Sequence, residues 1–268
     1  ERCATSAAEG VPSGRTATGT AATLEALVTA PAGVGKNPKA SSDYPRMEEP
    51  GIPSDDPLEH MLQRSGALHE RLDALLGDAE FYGSPRGEAT LGMCLVAMEH
   101  AIALRALMAL RLPTSAVSLM RLQFEALTRA MWLLYAASDA TIGKLMAPLT
   151  LASEQAAKNL PGASEMIDQI GKRIGQGVPP AAHQMLSHFK DVSWHAMNSF
   201  VHGGIHPLRR NADGFPVDLA LQVLRNSNGL TTMTGMTMAV LTGDEAVANP
   251  ISKIQPAFAD CLPDLLRS

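Results

Sequence analysis

Aromatic side chains are scarce in this chain of 268 residues, only 4% of the total, while 14 methionines and many Ala and Leu residues do the filling. That mix suits helix packed on helix better than strands. Cysteine is scarce too: Cys3, Cys94 and Cys261 stand far apart, with no CxxC or Cys/His pairing. A zinc site and a disulfide framework are thereby excluded, and a reducing cytosol fits best. Charged residues reach only 18%, and the net charge of -5 argues against wholesale attraction to nucleic acid, so any RNA contact must be local. Long apolar runs are missing as well. The best candidate span, Leu219 to Leu241, contains Gln222, Arg225, Asn226 and Asn228, which a lipid-facing helix tolerates poorly. The amino terminus has no basic stretch leading into an apolar core, so no secretory signal is read there and a cytoplasmic protein is expected. There is no GxSxG elbow, and Gly33-Val34-Gly35-Lys36 lacks the spacing of a phosphate-binding loop.

What is present is an apolar fraction of 46%, enough for a sizeable core. Residues 1–56 are rich in Ala, Gly, Thr, Ser and Pro, and read as a disordered tail. The chain opens on Glu1, and Met47 resembles an ordinary start, so the first 46 residues are read as a tag, a processing remnant or an over-extended start. From residue 57 to 268 the pattern is one helical domain. Asp55 or Asp56, followed by Pro57, starts a helix running to about Leu76 before Gly77. A second runs from about Pro85 to Leu112. A third, capped by Thr114 or Ser115 after Pro113, runs to about Ala137. The second and third are apolar nearly all round, as expected for a core pair enclosed by other helices. Further helices are expected near 139–159, 162–174, 180–201, 217–241 and 250–266. The fold class is therefore all-α, an antiparallel bundle of about seven or eight helices.

Two polar constellations interrupt the apolar pattern. On the third helix Arg121, Glu125 and Arg129 share one stripe with Ser118 and Thr128, either an internal ion-pair ladder reaching Glu99 or the wall of a pocket. On the helix ending at Val201, the residues Gln184, His188, Asp191, His195, Asn198 and His202 line one face. Simple amphipathicity accounts for a polar face but not for the choice of residue. Solvated faces are mostly Lys, Glu and Arg, whereas three histidines and an asparagine offer proton exchange and directional hydrogen bonds. Shared metal binding is excluded for these histidines, since neighbours seven apart are separated by roughly 10 Å along a helix. No metal or cofactor is expected. Gly203-Gly204 reads as the helix stop and His206-Pro207 as the loop that leaves it.

A helical bundle with a polar RxxxE pair on its third helix and a late helix ending Asn198-Ser199-Phe200-Val201-His202 resembles the HEPN superfamily (higher eukaryotes and prokaryotes nucleotide-binding). It is most similar to uncharacterised bacterial families related to abortive-infection proteins, over about residues 58 to 245. In active members an arginine precedes a histidine on one helix, and two protomers bring these motifs together to cleave RNA without metal. The resemblance implies a homodimer with His202, Asn198 and His195 as catalytic residues. Ala196 and Met197 stand where the arginine would be. Phosphate chemistry by 2'-hydroxyl attack needs a fixed cation beside the base. Arg209, Arg210 or Arg121, with Glu125, are the candidates for contacting substrate. The competing expectation is a non-catalytic helical module that binds a protein partner or a small ligand.

Overall fold

The computed structural model describes residues 56–81 and 83–264, so the expected tail and the candidate start at Met47 lie outside the described residues. Among the described residues the chain is helical and has no strand. In chain order the helices are α1 (Pro57–Leu76), α2 (Pro85–Ala109), α3 (Pro113–Tyr135), α4 (Asp139–Leu145), α5 (Leu151–Ala157), α6 (Ala163–Gly171), α7 (Pro180–Val201), α8 (Ile205–Asp213), α9 (Val217–Thr242), α10 (Glu245–Ser252) and α11 (Ile254–Ala257). There are more elements than about seven or eight. The expected helix at 139–159 is split around Pro148, and the one at 250–266 breaks into shorter pieces around Pro250 and Pro256.

Asp56 starts α1 as expected: its carboxylate accepts the Leu58 N–H at 2.9 Å, with Pro57 in the first turn. A hydrogen bond from the Arg111 guanidinium, ahead of that N–H, holds the Asp56 carboxyl below its ordinary pKa. At α3 the cap differs from expectation. Pro113 opens the helix without a side-chain cap, because Arg111 takes a left-handed φ of 58° and turns the chain sharply out of α2. Arg86 finishes the other end of α3, donating to the Leu133 carbonyl, to the Ala137 carbonyl at 2.8 Å and to Asp139 at 2.7 Å. A side chain from α2 thereby takes up carbonyls that the end of a helix leaves unpaired.

α3 sits at the centre, packed on α2, α6, α7 and α9. Phe124, Leu127, Met120 and Ala130 on it are fully buried. α9 lies against α1, α2 and α3. Threonines 231, 232, 234 and 237 bury their hydroxyls there by donating to carbonyls four residues back within α9. One polar knot ties α3 to α9. Gln123, fully buried, donates to the Ser227 carbonyl at 3.0 Å and to Thr231 Oγ1 at 3.1 Å, and accepts from Ser227 Oγ at 2.7 Å. The next residue, Asn228, donates to Ser65 Oγ on α1 and to the Cys261 carbonyl. Cys94 and Cys261 are buried, and burial pushes their thiols up to about 12 and about 11.

α2 departs from the expected enclosure. It is long and apolar enough to cross a membrane by length and composition, which Leu219–Leu241 is not, yet only 33% of that stretch is buried. Leu95, Val96 and Ile102 are exposed on its open side.

The knot sets a stability test. Replacing Gln123 by Leu keeps the volume but strands the Ser227 hydroxyl in a dry core, at a cost of about 1–3 kcal/mol. Urea unfolding of the variant should show a lower midpoint with an unchanged slope.

Candidate functional site

α7 runs from Pro180 to Val201, and His202 is its last, half-helical residue, with the N–H donated to the Asn198 carbonyl at 3.0 Å. Gly203 follows at φ +65°, the left-handed conformation that stops the helix. The Gly204 N–H then returns to the Ser199 carbonyl at 2.7 Å. A Cβ at Gly204 would stand 2.5 Å from Ser199 Oγ, so glycine is needed here for close approach. His206-Pro207 is not a loop. It lies in the first turn of α8, where proline costs no hydrogen bond, and the His206 N–H donates to Ser199 Oγ at 3.1 Å. The His206 ring stacks on Phe200 with centroids 6.1 Å apart.

The histidine-rich face is solvent-facing for most of its length. Gln184, His188, Asp191, His195 and His202 are exposed, which ordinary amphipathicity explains. Asn198 is the exception: it is half-buried, and its Oδ1 is enclosed with no hydrogen-bond partner. Among the described residues, no group of three His, Cys, Asp or Glu side chains gathers into a metal-binding arrangement.

The third-helix stripe lies across from this helix. Arg121 Nη2 donates to Glu125 Oε1 at 2.8 Å, and its Nε donates to the same oxygen at 3.2 Å. The guanidinium carbon sits 4.1 Å above the Trp194 ring of α7. Phe124 meets Phe189 at 4.9 Å and Trp194 at 6.4 Å, so an aromatic seam continues beside it. The pairing of 121 with 194 and 124 with 189 means that α3 and α7 run antiparallel. Arg121 Nη1 remains buried without a hydrogen bond, as does Arg129 Nε, so the stripe is one ion pair and not a ladder. Glu99 does not join it and lies exposed on α2.

The other two candidate cations are placed differently from each other. Arg209 is exposed and paired with Asp213 at 2.8 Å, whereas Arg210 is buried on α8 and is not presented to a substrate. Within one chain, then, His202, Asn198 and His195 share a helix face, and Arg121 and Glu125 form a separate pair at the α3–α7 seam. A feature that sequence reading passed over is His69 of α1, buried among Leu68, Leu72 and Leu76. The signal for it was a single histidine on an apolar helix face.

The family profile described as "Family of unknown function (DUF6988)" matches residues 94–264, the greater part of the chain, and the protein belongs to that family. No curated protein and no solved structure matches it.

The Arg121 contacts predict an order of effects. Arg121→Met removes both the ion pair and the contact with Trp194 and should cost about 1–3 kcal/mol. Glu125→Gln leaves Arg121 on the ring and, with Glu125 partly exposed, should cost less than about 1 kcal/mol. Thermal unfolding of both variants checks the order.

Proposed function

We propose that this member of DUF6988 is a HEPN-like helical binding module that pairs with a second copy through the α7–α8 end and does not cleave RNA. The observation that carries the reading is the surface around His202. Val201, Ile205 and Leu208 are exposed there, the last two at 67% and 68%, and Ile205 and Leu208 share one face of α8. Burying such side chains against another molecule is favourable at about 25 cal/mol per Å² of apolar surface. A second copy is the occupant that the HEPN resemblance implies, since its protomers meet at this helix end. The same pairing would place two His202 and two Asn198 side chains near one another.

The placement of two candidate cations supports a module that does not cleave. A guanidinium that stabilises charge on a phosphate must be free to face it, and Arg121 is held by Glu125 and Trp194 while Arg209 faces Asp213. The net charge of -5 adds no general attraction to RNA. The second reading, metal-independent RNA cleavage, is favoured by one observation: His195 and His202 are both exposed on the face that also carries Asn198. Arg209 would then have to leave its exposed and weak pair with Asp213.

Two measurements test these readings. Light scattering after size exclusion should give a dimer for the full chain and a monomer for the Ile205→Glu/Leu208→Glu variant, with circular dichroism unchanged; a monomeric parent protein rejects the pairing. Incubation with total RNA should leave it intact for both the parent protein and His202→Ala. Cleavage by the parent that is lost in His202→Ala would establish the ribonuclease reading instead.

A further inference from the structure

The segment holding α4 and α5 stands apart from the bundle. Ile142 of α4 is buried, but α5 buries none of its residues and packs mainly on α4. Across the turn between the two helices runs Met146-Ala147-Pro148-Leu149-Thr150-Leu151-Ala152, seven consecutive exposed residues of which only Thr150 is polar. Leu149 and Leu151 are 92% and 87% exposed, more than any other large apolar side chain among the described residues. Apolar residues on a water-facing surface are normally scattered, and a continuous exposed run points to something that covers it.

Much of the hydrogen bonding of this tip is met within the tip itself. Ser153 Oγ accepts the Thr150 N–H at 2.8 Å and donates to the Pro148 carbonyl at 2.9 Å. Thr150 Oγ1 accepts the Ser153 N–H at 3.1 Å, and the Thr150 carbonyl accepts the Glu154 N–H at 2.9 Å. Pro148 has no N–H to satisfy. Lys144 and Lys158 are exposed on the two helices that flank the tip. Of the two acidic residues in the segment, Asp139 is taken up by Arg86 at 2.7 Å and Glu154 is exposed. Two ammonium groups and one carboxylate therefore remain beside the tip, a local positive excess in a chain of net charge -5.

We propose that this tip is a membrane-contact site, at which Leu149, Leu151 and Met146 enter the surface of an anionic lipid layer while Lys144 and Lys158 stay among its headgroup phosphates. A lipid interface supplies hydrocarbon but few partners for backbone groups, which suits an apolar tip whose polar atoms are bonded internally. Anionic headgroups suit long basic side chains at its edge. A protein partner is recognised through polar contacts around an apolar centre, and this tip leaves few polar groups open for them. The contact lies on a membrane and does not span it. It is independent of pairing at α7–α8: α4 follows the C-terminal end of α3, whereas antiparallel α7 brings Val201 toward the N-terminal end.

The test floats the full chain with vesicles of phosphatidylcholine alone and of phosphatidylcholine mixed equally with phosphatidylglycerol. The chain should bind the mixed vesicles saturably and at least threefold more tightly than the neutral ones. Leu149→Glu/Leu151→Glu, altered only at exposed side chains, should keep the circular dichroism of the parent and weaken binding at least tenfold. Lys144→Gln/Lys158→Gln should remove the preference for the mixed vesicles. A parent protein that binds neither vesicle or both equally, or binding that persists in Leu149→Glu/Leu151→Glu, overturns the proposal. So does a fall in the lipid-free mass of that variant by light scattering, which would put a second protein chain on the tip instead.

Discussion

The enclosure of α3 is the constraint on which the rest of the molecule depends. A helix packed by α2, α6, α7 and α9 leaves little of its length to water, so partners for its polar residues come mainly from the protein, although Thr128 Oγ1 and Arg129 Nε find none. Gln123 finds Ser227 and Thr231, Arg121 finds Glu125 and the Trp194 ring, and the end of the helix finds Arg86. Each of these contacts also locates a neighbour: the first sets α9, the second α7, the third the turn into α4. Positioning of the bundle is thus done by a few directional contacts within a large and undirected apolar interior.

The helical class and the main helix boundaries are legible because they rest on local chemistry. Asp56-Pro57 starts α1, Gly203 ends α7, and apolar spacing marks the long helices between. Where reading failed, the deciding contact came from far along the chain. Thr114 and Ser115 do not cap α3 because Arg111 bends the preceding turn, and His206-Pro207 is helical and not a loop because the first turn of α8 is fixed by Ser199, seven residues before His206. α2 reads as enclosed from its composition, yet which of its sides goes uncovered depends on where α1 and α9 run. Periodicity carries no such information.

The candidate site was legible as a face and not as an assembly. Spacing placed His188, His195 and His202 correctly on one side of α7, but it could not separate the solvent-exposed histidines from the half-buried Asn198 at the seam. Nor could it find that Arg121 is engaged by a ring on another helix. His69 escaped notice for the opposite reason. Its neighbours in sequence are leucines, and its burial depends on the helices packed against α1.

The threonines of α9 carry a consequence of their own. By bonding back to their own helix, Thr232, Thr234 and Thr237 turn a polar sequence into a surface of methyl groups, which grip neighbouring helices without preferring one register. Axial alignment of α9 is then fixed at a single level, by Gln123 and Asn228, as a shaft is fixed by one pin. Beyond that pin, substitutions on α1 and α2 that keep total volume can be absorbed by small adjustments of the shaft, while substitutions at the pin cannot.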